Sequence, residues 1–280
     1  MRRAVLSLVW ACTMLAHPLS RADTVADWNR IALDTIAQSE QRPEYRLNTM
    51  ATVNVAMFEA VNFVRGRYRP RFVVGSPGID GLSTDAVAAA AAHHILVNSY
   101  PKQEAALDAA LRASLDALPA DQARASGVIT GASIAAVIRA VTSDGGLLTR
   151  DDRDAGPPAV RAHWSGERKV ALVVRFSSLA NPLGWNPIVT ELIAVRALAL
   201  DESARIHALA SIVAAEAYFI AVDAPDRCAP CIAAASVAYI LASEAGASGS
   251  ESKAVDTHRE IGREIARSAL RQYYRPLGEP

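Results

Sequence analysis

The sequence predicts an all-α protein, a multi-helix bundle, and three observations lead there. Apolar residues recur at three- and four-residue spacing along most of the 280 positions, the signature of helices that each bury one face. The apolar share is 51%, drawn largely from alanine, while aromatic residues make up only 6%. Alanine favours helix and lets helices approach closely, so helix faces rather than sheet faces are expected to build the core. Finally, no strand–helix–strand alternation and no repeat of fixed period is present, which sets aside Rossmann, thioredoxin-like and solenoid architectures. With charged residues at 21%, a sizeable core is available and a disordered chain is excluded.

The elements follow in order. Val25 to Ser39 carries Trp28, Ile31, Ala32, Thr35 and Ile36 at helical spacing. Arg46 to Arg65 repeats the pattern with Leu47, Met50, Val53, Met57, Ala60, Val61 and Val64, and Gly66 and Pro70 close it before a loop at Gly75 to Gly81. Ser83-Thr84-Asp85 caps a helix to Tyr100, Pro101 opens another to about Leu118, and Pro119-Ala120-Asp121 starts a long one ending near Asp144. Thr149 to Gly184, with Gly156-Pro157-Pro158 and the apolar run Val170 to Val174, reads as a crossover that can hold one short strand. Helices resume at Ile188 to Leu200, at Asp201 to Asp223 with Asp201 as cap, at Cys228 to Ala245 and, after a Gly/Ser loop, at Lys253 to Tyr273. The reading is a single domain over 23–280: an N-terminal half (23–148), the crossover (149–184) and a C-terminal half (185–280).

The first residues read as a signal peptide. Met1-Arg2-Arg3 supplies positive charge, Ala4 to Ala16 an apolar run, and Ser20-Arg21-Ala22 the small residues a signal peptidase reads. Cleavage is expected after Ala22, with a periplasmic or secreted destination. The run is short of the roughly 20 residues a spanning helix needs, and no transmembrane segment is expected in the mature chain. Twenty-nine basic residues balance 29 acidic ones, so there is no electrostatic footprint for nucleic acid or an anionic membrane. No partner is identified by charge. Cys12 leaves with the leader, and Cys228 and Cys231 remain as an even pair in an oxidising compartment.

Several segments resemble the vanadium haloperoxidase/type 2 phosphatidic acid phosphatase superfamily, in particular its bacterial haloperoxidase-like branch. In the first half these are Val25-Ala-Asp-Trp-Asn29, Ala56-Met-Phe-Glu-Ala-Val-Asn62, Ala91-Ala-His-His-Ile-Leu-Val97, Leu107-Asp-Ala-Ala-Leu111 and the helix around Gly127 to Ile138. In the second half they are Gly184-Trp-Asn-Pro-Ile188, Ala204-Arg-Ile-His-Ala-Leu209 and Ala215 to Ala224, which resemble the helix before the family's active site. Val237 to Glu244 and His258 to Ile265 resemble its later helices.

The resemblance implies a site in which a Lys and two Arg hold phosphate or vanadate, one His acts as acid and a second His is nucleophile or vanadium ligand. A transferring phosphoryl group develops charge on its equatorial oxygens, and fixed cations must meet it. The motifs that carry these groups are missing. A Lys-x6-Arg-Pro segment belongs after Ala224, where the chain passes directly to Pro225. A Tyr-Pro-Cys-Ala-His-Cys segment is matched by Asp226-Arg-Cys-Ala-Pro-Cys231, so Pro230 stands where the acid His belongs. The Ser-Arg…Gly-x-His segment is replaced by a short Gly/Ser loop after Gly246. The resemblance therefore implies the family's bundle truncated around the phosphate site, with no catalytic residue and no cofactor; vanadate is expected only where that site is intact.

Other residues of the chain carry groups that could stand in for the missing ones. His258 and Arg227 are polar candidates near the expected site, His258 lying on a charged helix whose Lys253, Arg259, Arg263 and Arg267 interleave with acids, a pattern of solvated, salt-bridged faces. Cys228-Ala-Pro-Cys231 at a helix start fits either a structural disulfide or a thiol-exchange pair, and the lack of βαβ context favours the disulfide. His93 and His94 point about 100° apart on a helix and do not share a ligand set. Glu216, Tyr218 and Asp223 read as satisfied boundary groups, Trp28, Trp164 and Trp185 as anchors, and His163-Trp-Ser-Gly166 lacks the strand-to-helix setting of a nucleophile elbow. The expected function is an exported, catalytically degenerate superfamily protein. The alternatives are an active phosphatase or haloperoxidase using other residues, and a helical binding module or CxxC thiol-redox protein.

Overall fold

The computed structural model describes residues 23–73, 78–142, 183–221 and 229–244, together with 263, 266–267, 269–271 and 276–278. Eight α-helices lie among the described residues: α1 Thr24–Ala37, α2 Pro43–Arg65, α3 Thr84–Ser99, α4 Glu104–Asp116, α5 Gln122–Thr142, α6 Asn186–Arg196, α7 Leu200–Ala221 and α8 Ala229–Glu244. The chain is all-α: these residues contain no strand, only an isolated antiparallel bridge between Tyr68 and Pro276. Near the C-terminus Arg263, Ala266, Arg267 and Ala269–Arg271 are helical, in line with the last expected helix.

Helix α2 is the hub. Every residue from Met50 to Asn62 is buried, because α1, α3, α5 and α7 all pack against it. A helix enclosed on all sides needs no solvent-facing polar stripe, and the polar residues inside this stretch, Thr52, Asn54, Glu59 and Asn62, are themselves buried. The Thr84–Ala92 stretch of α3 is enclosed in the same way, and α7 is covered by α2 and α8. By contrast α4 buries only Leu107 and forms part of the rim.

The alanines of α3 are matched by glycines on α5. A Cβ on Gly127 would lie 2.9 Å from the Ser83 carbonyl oxygen, and one on Gly131 would overlap the Val87 carbonyl and sit 3.1 Å from the Ala90 Cβ. Two bare backbone positions four residues apart therefore set how closely α5 crosses α3. Among the described residues α5 is the one helix long and apolar enough to suit a bilayer, a property the expectation of no further apolar span did not include. Here its Gly127–Gly131–Ile134–Ile138 face is buried in the bundle, while Ile129, Val137 and Val141 are exposed.

Boundaries follow local chemistry. Asp23 caps α1 by accepting from the N–H groups of Val25 and Ala26, and Ser83 caps α3 by accepting from Ala86; each such cap contributes about 1 kcal/mol. Gly66 ends α2 in the left-handed region at φ 64, a conformation glycine adopts without steric penalty. Helix α2 starts at Pro43 rather than Arg46, since proline at the first helical position loses no hydrogen bond. Pro101 opens a short 3-10 turn, Pro101–Gln103, before α4. Asp201 is not the cap of α7. It lies inside the first turn, buried, and its carboxylate accepts from Arg67 at 2.8 Å. The Glu202 side chain instead reaches back to the Ala199 N–H at 3.4 Å, one half of a capping box. Helix α6 runs 186–196 rather than to Leu200, turned off by Ala197 at φ 48. The expected leader and most of the expected crossover with its short strand lie outside the described residues.

Candidate functional site

The most distinctive side chains are polar and lie in the middle of the core, where α1, α2, α6 and α7 meet. Asn29 of α1 donates from Nδ2 to the Asn54 Oδ1 of α2 (2.8 Å) and to its own Val25 carbonyl (2.9 Å). Asn54 passes the chain on, its Nδ2 donating to the Ser211 hydroxyl of α7 (2.8 Å), which donates to the His207 carbonyl (2.7 Å). Asn186 at the start of α6 donates to Asn29 Oδ1 (2.8 Å). All four of these side chains are at most 1% exposed. Below them, the Ser203 hydroxyl of α7 donates to the Asp23 carboxylate at the start of α1.

Helix α7 contributes to this seam through Ser203, His207 and Ser211, spaced four residues apart and therefore on one face. The His207 ring is fully buried, and neither Nδ1 nor Nε2 has a hydrogen-bond partner among the described residues. Burial penalises the charged ring and pushes its pKa down to about 3. It is neutral at physiological pH. Burial also disfavours the charged form of two carboxyls, raising the pKa of Asp23 and of Glu59 above the usual carboxylate range. Glu59 on α2 spends its Oε1 on the N–H groups of Arg71 (2.7 Å) and Phe72 (3.4 Å). With Asn62, which brackets the backbone of Tyr68 through both its amide ends, it pins the loop after α2.

The donor set decides what this interior can hold. An oxyanion such as phosphate or vanadate needs fixed cations, and the seam offers neutral amides, hydroxyls, a neutral imidazole and, at one end, a carboxylate. These residues do not fit such an anion. Nor do the described residues bring together three or more His, Cys, Asp or Glu side chains able to hold a metal. At the rim, His93 Nε2 meets Asp108 Oδ1 at 2.7 Å and stands edge-on to Trp28, with ring centroids 6.3 Å apart. His94 turns elsewhere and its pKa is lowered, first by burial and then by the Arg139 charge. The adjacent pair shares no ligand set.

Of the residues singled out in the sequence, Trp28 and Trp185 are core anchors, 0% and 3% exposed. Glu216 and Tyr218 are half-buried on α7. Pro230 and Cys231 stand in the first turn of α8, the position where a proline is preorganised. Arg227, Cys228 and His258 lie outside the described residues, as do Asp223, Trp164 and the His163–Gly166 segment. Arg267, on the charged last helix, donates from Nε to the Tyr239 hydroxyl at 3.0 Å and so ties that helix to α8. The buried seam itself was not foreseen. Its available signal is the four-residue spacing of Ser203, His207 and Ser211 in an otherwise apolar stretch.

One expected result follows from His207. Its folded pKa of about 3 lies below the ordinary 6.5, so below pH 6.5 the unfolded chain binds a proton the folded chain refuses. Stability contributed by the neutral ring is present above pH 6.5 and is lost as pH falls toward 3, at up to about 1.4 kcal/mol per pH unit. His207→Leu removes that slope and is expected to be neutral or stabilising at pH 7, since both lost polar atoms were unpaired. Urea denaturation of both proteins from pH 7 to pH 4 checks it: parallel pH profiles would show that the ring is protonated in the folded state.

No protein-family model, no curated protein and no solved structure matches the chain.

Proposed function

We propose that this chain is an exported protein of the vanadium haloperoxidase/type 2 phosphatidic acid phosphatase type that keeps the helical scaffold and has no catalytic activity. The observation that carries the proposal is the position of Pro230. It stands in the first turn of α8, at the place where the sequence resemblance calls for the acid histidine, and proline has neither a titratable group nor an N–H to donate. The chemistry of the described interior supports the same reading: neutral amides and hydroxyls occupy the bundle centre, with His207 held uncharged. On this reading the protein is periplasmic or secreted and acts by presenting its helical surface.

The test is a phosphate and vanadate binding titration on the exported protein, with hydrolysis of a chromogenic phosphomonoester and vanadate-dependent bromination of a reporter. No saturable anion binding and no turnover above the blank are expected. Pro230→His is expected to leave both rates at the blank, because a general acid contributes ~10²–10⁴-fold only where a nucleophile and cations already hold the substrate. Turnover by the wild-type chain that is lost on substituting one of its own residues would overturn the proposal. Activity gained by Pro230→His alone would do the same.

A further inference from the structure

Helix α5 leaves one apolar face outside its own bundle. Its inward face packs on α3 and α2, while Ile129, Val137 and Val141 on the outward side are 69%, 46% and 54% exposed. No charged residue occurs from Ala125 to Ile138, so this face lacks the charged covering that a surface helix ordinarily shows. An exposed apolar face rimmed by polar residues marks a surface of association.

The outward residues follow alternating four- and three-residue steps: Gln122, Ser126, Ile129, Ser133, Ala136 and Ala140. That is the spacing of a seam along which two helices lie side by side. Ser126 and Ala136 are half-buried in the single chain and the other four are exposed. The seam is also symmetric about position 131. In an antiparallel pair of α5 helices with a two-fold axis at that level, Ile129 of each copy faces Ser133 of the other. Ser126 then faces Ala136, and Gln122 faces Ala140. The largest side chain of the seam meets a small one on both sides of the axis, as a self-complementary surface requires.

Charge selects the same arrangement. Asp121 and Arg139 are exposed at opposite ends of the apolar stretch. They lie about five turns apart and so on one flank of the helix. The antiparallel pair brings Asp121 of one copy to within about 3 Å, along the axis, of Arg139 of the other, and does so twice. A parallel pair would set like charges against each other. Asp121 accepts from the Arg124 N–H at 2.9 Å, and neither Asp121 nor Arg139 forms an ion pair among the described residues.

We propose that the outward face of α5 is the interface of a homodimer, occupied by the same face of a second copy running antiparallel. The proposal does not depend on export or on the loss of catalysis. A bilayer is the other partner a helix of this length and hydropathy suits. Here the inward face is committed to the bundle, and the seam itself carries no basic residue to hold a lipid headgroup. One helix pair makes a small interface, so a dissociation constant in roughly the micromolar range is expected.

The experiment is sedimentation velocity of the full chain over about 1–200 µM, where so small an interface associates and dissociates. A concentration-dependent monomer–dimer equilibrium is expected. Ile129→Glu is expected to weaken it roughly 100-fold, because each copy then buries an unpaired carboxylate. The thermal melt of that variant at low concentration should stay within about 2 °C of the wild type, since the side chain is exposed in the monomer. Arg139→Glu sets two acids together at each end and should weaken association roughly tenfold. Asp121→Asn keeps a competent cap for α5. It should weaken the wild-type dimer by about threefold and strengthen that of Arg139→Glu, a reversal that requires the two side chains to meet across the pair. A chain monomeric throughout, or an Ile129→Glu dimer as tight as the wild type, would overturn the proposal. Asp121→Asn acting in the same direction in both backgrounds would overturn the antiparallel pairing. A monomer that floats with phosphatidylcholine/phosphatidylglycerol vesicles, and no longer does so as Ile129→Glu, would assign the face to lipid instead and overturn the dimer.

Discussion

Gly131→Ala is expected to destabilise the protein by about 3 kcal/mol, at the upper end of what an added methyl costs in a packed core. At roughly 2–4 °C per kcal/mol for a chain of this size, that lowers the melting temperature by roughly 6–12 °C. The methyl carbon overlaps the Val87 carbonyl of α3 and sits 3.1 Å from the Ala90 Cβ. A backbone carbonyl and a Cβ have no rotamer to move to, so the helices must separate. Alanine is also the better helix former by about 1 kcal/mol, and the expected loss is what remains after that gain. Ser133→Ala, on the exposed face of the same helix, makes a matched control that should change stability by less than about 0.5 kcal/mol. Thermal melts of the three proteins decide it. A Gly131→Ala protein that melts with the wild type would mean that α5 does not cross α3 at this distance.

Asn54→Leu is expected to cost about 2–5 kcal/mol. The substitution nearly preserves volume, so little of the loss comes from a cavity. It comes from two groups left unpaired in a dry core: Asn29 loses the acceptor 2.8 Å from its Nδ2, and Ser211 loses a donor at 2.8 Å. Each buried orphan costs about 1–3 kcal/mol. Ser211→Ala alone orphans one Asn54 proton. Combined with Asn54→Leu it removes a partner that is already stranded, so the double variant should fall short of the sum by about 0.5–3 kcal/mol. Urea denaturation of the four proteins in the cycle measures this, and strict additivity would show that the two side chains do not meet.

Much of the helical order was legible from spacing, because caps and breakers act locally. Ser83, Gly66 and Pro101 each mark a boundary within a residue or two of where it falls. Asp201 misled for a tertiary reason: its carboxylate resembles a cap in sequence, and Arg67, 134 residues earlier, takes it instead. The glycines of α5 were visible as residues but not as a contact surface, since their meaning depends on which helix lies across them. The seam was the least legible part. Asn29, Asn54 and Asn186 sit in separate helices, and a lone asparagine in an apolar stretch carries no sign of where its amide will find a partner. Of the expected degenerate site, only Pro230 and Cys231 fall on described residues, and there Pro230 takes the first-turn place its ring suits.

The seam also imposes an order on assembly. Asn54 and Ser211 are 157 residues apart in the chain, as are Asn29 and Asn186, and Asp23 and Ser203 are separated by 180. At about 5–20 residues per second, roughly 8–30 s of synthesis pass between the first partner of each 157-residue pair and its second. During that interval the enclosed helix α2 has its α3 side available for packing and its α7 side bare. A nascent chain with one side of its hub helix uncovered is a ready client for holding chaperones, and truncation anywhere before Ser211 takes away the acceptor of the Asn54 amide, which then has water rather than the core as its better solvent.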